Sequence, residues 1–352
     1  MKKERDLLPD IVRGFAILMV VYGHCIQEGN GYDFSANMSY FDDKIYQFIY
    51  SFHMPLFALI AGYFACISLA KADRDMQRTT LLLRKIGTYF IPIFVWTLFE
   101  CIREAVINVN LGYLTYTPLS FITMFLRRLV TNHWFLWSMI ICFSVVFVVR
   151  YCLNDRLIAY GIIYLSLFFI PDGYNLHAYK YMLTFYVTAY LFCKNYELLT
   201  SRLSKVYERL PLTVLLCGLV FIILFLPYRR EAFIYVSGYR ITKNIWYKQL
   251  IIDIYRTVIG FAGSIFFILL FKLLTKLIPK YKFPLFSRMG RYSLGIYLIS
   301  GYTTILLFRQ ITDPLSYSAL RNILETVIVA ALSLILSMLI GKIPYLKKII
   351  GK

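Results

Sequence analysis

Leu8-Pro-Asp-Ile-Val-Arg-Gly-Phe-Ala-Ile-Leu-Met-Val-Val-Tyr-Gly-His-Cys-Ile-Gln27 decides the fold. The stretch is mostly apolar and, as a helix of about 20 residues, long enough to cross a bilayer core of roughly 30 Å. Yet it carries Asp10 and Arg13 near its start and His24 near its end. Arg13 and His24 are eleven residues apart. At about 100° per residue that is three turns plus roughly 20°, so both lie on one helix face, about 16 Å apart along the axis. Asp10 falls close to the same line. A charge at the centre of a membrane helix costs roughly 2.5–3.5 kcal/mol on insertion scales. This edge is therefore expected to face the protein interior or a wet cavity. The plain alternative is an anchor helix with a snorkelling Arg and an interfacial His.

The whole chain agrees with a membrane setting. Of its 352 residues 59% are hydrophobic and 16% charged, against about 45–50% and about 25% in soluble domains. The net charge of +19 would point to nucleic acid in a soluble protein. Here it is better explained by retention of Lys and Arg in inner loops, and no nucleic-acid partner is expected. The seven Cys lie in or beside apolar runs without a C-x-x-C pair, so they read as small buried hydrophobes, not a disulfide frame or zinc site. No metal is expected.

Apolar runs of spanning length recur. After the first they cover about 44–70, 82–102, 133–149, 157–170, 179–192, 212–227, 250–271, 293–308 and 323–340. The expected fold is all-α, a polytopic transmembrane bundle of about ten spans with both termini cytoplasmic. It forms a single domain over 1–352 with no appended soluble domain, in the plasma membrane. Leu119–Val130 reads instead as an interfacial or re-entrant helix bearing Arg127 and Arg128. The basic runs 71–85, 272–291 and 342–352 fall inside and the acidic loop 28–43 outside. The loop 228–248 dissents, being basic yet outside. It is either solvated charge or a surface that attracts an anionic acceptor. Asp253 and Arg256, three apart within a span, read as a structural ion pair. Glu100 and Glu325 receive no role.

The opening pattern, Asp10-Ile-Val-Arg13-Gly14-Phe-Ala-Ile-Leu-Met-Val-Val-Tyr-Gly-His24, resembles the first motif of the acyltransferase-3 family of integral membrane acyltransferases. Other elements resemble that family in the same order. Phe52-His53-Met54-Pro55-Leu56-Phe57 is followed by Ala61-Gly62-Tyr63, where the family carries Ser for Ala61. Arg84-Lys85 precedes Thr88-Tyr-Phe-Ile-Pro92. His133-Trp134-Phe135-Leu136 is one residue shorter than the family's H-x-W-F-L. Met289-Gly-Arg-Tyr-Ser293-Leu-Gly-Ile-Tyr297-Leu-Ile-Ser300 has Ser300 where the family has His.

The resemblance implies an O-acyltransferase. It would move an acyl group, expected to be acetyl, from cytoplasmic acetyl-CoA to a hydroxyl of a cell-surface or lipid-linked carbohydrate. His24 would be the general base, since an unperturbed imidazole titrates near 6.5. Arg13 would join it, and Arg13, Arg84 and Lys85 would hold CoA phosphates, because Arg makes bidentate, charge-assisted contacts to phosphate. The alternative for those cations is inner-side retention alone. Asp10, His53, His133, Trp134, Ser293 and Tyr297 complete the expected substrate contacts. A second functional reading, a glycan exporter or flippase without acyl transfer, also fits a polar cavity and a basic outer loop. Against it stands the lack of paired broken helices or an inverted repeat.

Overall fold

A computed structural model describes residues 6–75, 77–110, 117–196, 199, 204, 208–240, 246–278, 283–304 and 317–352. All regular elements among these residues are helical. The chain runs α1 (Leu8–Glu28), α2 (Lys44–Asp75), α3 (Arg78–Asn110), α4 (Pro118–Thr131), α5 (Trp134–Cys152) and α6 (Leu157–Leu167). It continues through α7 (Leu176–Lys194), α8 (Leu210–Phe225), α9 (Trp246–Leu277), α10 (Pro284–Arg291), α11 (Ser293–Thr304) and α12 (Ala319–Lys342).

Five helices are long and apolar enough to cross a membrane: Leu8–Glu28, Lys44–Arg74, Trp134–Cys152, Trp246–Leu277 and Ala319–Lys342. The expected spans at 82–102 and 179–192 lie inside α3 and α7. The expected span at 157–170 is an 11-residue helix, roughly 16 Å long and well short of a bilayer core. It gives out in turns at Phe168–Ile170, just before Pro171, which restricts its predecessor. The expected ninth span ran to Phe308; the helix is described to Thr304, and the remainder lies outside the described residues. Over Leu119–Val130 the chain forms α4, which buries none of its residues, as an interfacial helix would. Thr117 caps it by accepting the Ser120 N–H at 3.2 Å.

Helix α1 lies at the centre and packs on α2, α9, α10, α11 and α12. Pro9 stands in its first turn, where a missing N–H costs nothing. Two glycines set its closest approach. A Cβ on Gly14 would lie 1.9 Å from the Phe286 carbonyl oxygen, and one on Gly290 would lie 1.8 Å from that of Asp10. Only hydrogen at both positions lets the backbones of α1 and α10 meet. Elsewhere small polar residues fill the helix interfaces, with Ser138, Ser264, Ser300, Ser333 and Ser337 all fully buried. Large apolar side chains point outward, as on α8 with Leu215, Leu216, Leu219, Ile222 and Ile223. That inversion suits a protein whose surroundings are lipid tails.

Buried charge is tied at both ends of the bundle. At one end Arg150 pairs with Asp73 and donates to the Tyr190 hydroxyl at 2.6 Å. Asp155, in the turn after α5, accepts from Lys194 and Tyr160 at 2.7 Å each and from Tyr190 at 2.6 Å. At the other end Arg256 and Asp253 form the pair read from their spacing, each side chain 2% exposed.

Candidate active site

The polar edge of α1 faces inward along two adjoining cavities. The first, about 260 Å³, surrounds Arg13. Arg13 Nη2 donates to Ser293 Oγ at 2.7 Å, and its guanidinium carbon lies 5.8 Å from the Phe64 ring centroid. Lys85 lines the same cavity, its ammonium 6.0 Å from the Phe143 ring. Ser293 reaches Arg13 because Gly14 and Gly290 bring α10 against α1, and the turn at Tyr292 then starts α11. The wall between the cations is apolar, with Ile17, Ile60, Ala61 and Met139. Two cations, a hydroxyl and a narrow apolar sleeve can hold an anion with a slender uncharged arm.

The second cavity, about 450 Å³, is aromatic and carries His24 and His53. His53 is 1% exposed, and its Nδ1 lies 2.8 Å from the Ile49 carbonyl. A carbonyl only accepts, so Nδ1 carries the hydrogen, and when the ring is neutral its lone pair is on Nε2. Tyr50 stands edge-on to His53 with centroids 4.5 Å apart. Tyr46, Trp134 and Tyr235 complete the walls, and Gln27, three residues beyond His24, adds an amide.

The two cavities meet. Val20, Met54 and Tyr297 line both. Val20 lies on α1 between Arg13 and His24, so the axial gap read from the sequence is filled by one shared partition. Pro55 follows Met54 inside α2, where its missing N–H releases a backbone carbonyl of the preceding turn.

Six of the ten expected site residues thus gather on these cavities: Arg13, Lys85, Ser293, His24, His53 and Trp134. Tyr297 is a seventh, at the partition. Three lie elsewhere. Asp10 is 1% exposed beneath α10, against Gly290. Arg84 is exposed and lines neither cavity. His133 adopts φ 51°, ψ 38° at the start of α5, and its Nε2 turns to Glu100 Oε1 at 3.7 Å. Gln27, Tyr46, Tyr50 and Tyr235 were not anticipated. The signal for three of them was present: Tyr46, Tyr50 and His53 follow helical spacing, as do His24 and Gln27. Among the described residues no cluster of three His, Cys, Asp or Glu could hold a metal ion.

The profile of the acyltransferase-3 family, described as an acyltransferase domain, matches residues 7–342. The chain belongs to this family. It is also similar to nodulation protein NolL of Sinorhizobium fredii, 23% identical over 238 residues, which cover 66% of this chain and 60% of that protein. NolL of Mesorhizobium japonicum is 28% identical over 146 residues, 40% of this chain and 35% of that protein. The matched stretches therefore span less than two thirds of these relatives' length. No solved structure matches the chain.

Two departures from the acyltransferase-3 pattern now have a place. Ala61 lies in the wall of the Arg13 cavity, so the hydroxyl of a Ser there is absent from that wall. Ser300 is fully buried between helices, and its oxygen lies 3.3 Å from the Tyr297 carbonyl.

Proposed function

We propose that this acyltransferase is a membrane O-acetyltransferase that takes acetyl from cytoplasmic acetyl-CoA and gives it to a hydroxyl of a carbohydrate outside the cytoplasm. One observation carries the reading: a cationic cavity and an aromatic, imidazole-bearing cavity share a partition along a single edge of α1. Arg13 and Lys85 hold CoA phosphate or the adjoining pantetheine, with Ser293 fixing the guanidinium. The thioester end of the arm lies toward Val20 and Tyr297. The aromatic cavity takes the sugar, whose flat C–H faces suit Trp134, Tyr46 and Tyr235 while their polar tips meet its hydroxyls.

His24 accepts the proton of the acceptor hydroxyl as its oxygen bonds to the thioester carbonyl carbon. Collapse of the tetrahedral intermediate breaks the carbon–sulfur bond. The CoA thiolate leaves and takes the proton from the imidazolium, so no charge or atom is left over. Both termini lie on the cytoplasmic side of the plasma membrane in this reading, with Arg13 toward the cytoplasm and His24 toward the outer face.

The test is acetyl transfer by full-length protein in proteoliposomes, from labelled acetyl-CoA to glycan extracted from cells that lack the gene. Mass analysis of surface glycans from cells with and without the gene should show the loss of an acetyl mass. Glycan flux that needs no acyl-CoA, with no label incorporated, would replace this reading with that of an exporter.

A further inference from the structure

The segment 228–240, between α8 and α9, forms a strap beside the aromatic cavity. It delivers Tyr235 to the cavity wall. Phe233, 2% exposed, pins one part of the strap. Its ring centroid lies 4.8 Å from Phe41, 5.7 Å from Tyr46 and 5.4 Å from Tyr228. Beyond one helical turn, Ile234–Ser237, the chain reverses at Gly238 with φ 69° and ψ −160°. Only glycine takes that conformation readily. A Cβ there would also lie 2.6 Å from Asp172 Oδ2.

The reversal is held by buried charge. Arg256 Nη2 donates to Ser237 Oγ at 2.9 Å and to the Gly238 carbonyl at 2.8 Å. Gln249 donates to the same carbonyl at 3.1 Å and to Asp253 Oδ1 at 3.0 Å. Asp172 accepts the Tyr239 N–H at 2.7 Å, and Lys180 holds Asp172 at 2.7 Å. Gln249, Asp253 and Arg256 follow helical spacing on one face of α9.

Stability alone is a poor reason for this device. A buried ion pair is often matched or bettered by well-packed apolar residues, and its best-attested use is to fix a register. Arg256 even leaves Nε and Nη1 without hydrogen-bond partners. What it fixes is the Gly238 carbonyl, three residues beyond Tyr235. Tyr235 itself stays 39% exposed, edge-on to Trp134 with centroids 5.7 Å apart. The two rings make a corner that offers one flat face and one aromatic edge to a ring-shaped ligand.

We infer that Tyr235 is a specificity-determining contact for the carbohydrate acceptor, and that Arg256, Gln249 and Asp172 are positioning residues that hold it in the cavity wall. This rests on the reading of the aromatic cavity as the acceptor site. It gives the ion pair of α9 a task in recognition.

Full-length Tyr235→Ala, Tyr235→Phe, Gln249→Met and Asp172→Asn are compared with wild type in proteoliposomes. Acetyl transfer is measured with glycan from cells that lack the gene and with a panel of p-nitrophenyl glycosides. Glycan binding is followed separately by tryptophan fluorescence without acetyl-CoA. Tyr235→Ala should raise the acceptor KM about tenfold and change the rank order of glycosides, leaving the acetyl-CoA KM unchanged. Tyr235→Phe should keep the rank order set by the ring. Gln249→Met and Asp172→Asn should raise the acceptor KM by a smaller factor with kcat nearly unchanged. Folded variants with wild-type acceptor KM and rank order, or with equal rises in both KM values, would overturn the inference. Wild-type protein that binds glycan through Tyr235 yet transfers no acetyl would overturn the enzymatic reading and leave the strap as the recognition element.

Discussion

His24 and His53 share one cavity, and their roles should separate on substitution. His24→Ala is expected to lower kcat by about 10²- to 10⁴-fold, the usual contribution of a general base, with membrane insertion and acetyl-CoA binding intact. Radiolabel transfer and a binding assay on the same sample check it, and wild-type turnover would remove His24 from the chemistry. Ser293→Ala deletes the acceptor of a charge-assisted bond from Arg13. It should weaken acetyl-CoA binding about tenfold, in keeping with a bond worth roughly 1.5 kcal/mol, and leave the acceptor KM alone. Spacing along one helix made the Arg13–His24 edge legible in the sequence. Spacing also bears on Arg84 and Lys85: adjacent helical residues diverge by about 100°, and it is Lys85 that lines the cavity. His133 lies away from the cavities for a different reason. Its left-handed backbone and the carboxylate of Glu100 turn the ring away, and neither shows in a motif.

The contact of α1 with α10 is set by two hydrogens where other residues have a Cβ. Gly290→Ala places a methyl 1.8 Å from the Asp10 carbonyl oxygen, and the helices must part. The expected loss is about 1–3 kcal/mol of stability, read as a lower melting temperature in detergent, with a raised acetyl-CoA KM because Ser293 moves away from Arg13. A wild-type melting curve would show that the backbones do not meet so closely. The partition between the cavities makes a second case. Tyr297→Ala should let a longer acyl donor such as butyryl-CoA compete with acetyl-CoA, which a donor-competition assay measures. Apolar runs mark where the described helices lie, but the run at 157–170 outlasts α6 because hydropathy continues past the turn that ends it. The strap was not readable at all. Its aromatic contacts and the bonds from α9 join residues far apart in sequence, and only the fold brings them together.

Both ends of the bundle are fastened by charge, and the end at Asp155 should report pH. Burial would raise the Asp155 carboxyl, but bonds from Lys194, Tyr190 and Tyr160 outweigh it and hold the group below its ordinary value. A carboxyl depressed in the folded state stabilises fully above its unfolded pKa, about 3.9, and loses that contribution as pH falls through the folded value. Asp155→Asn should therefore lower the melting temperature at neutral pH, and the gap to wild type should shrink below about pH 4. A gap that does not vary with pH would place the effect in packing. The cavities joined at Val20, Met54 and Tyr297 also bear on energy supply. If donor and acceptor approach that partition from opposite faces, nothing bulkier than a two-carbon fragment travels, and neither nucleotide nor saccharide is translocated. Modification would then run on thioester free energy alone. An ionophore that collapses the voltage and proton gradients should leave its rate untouched.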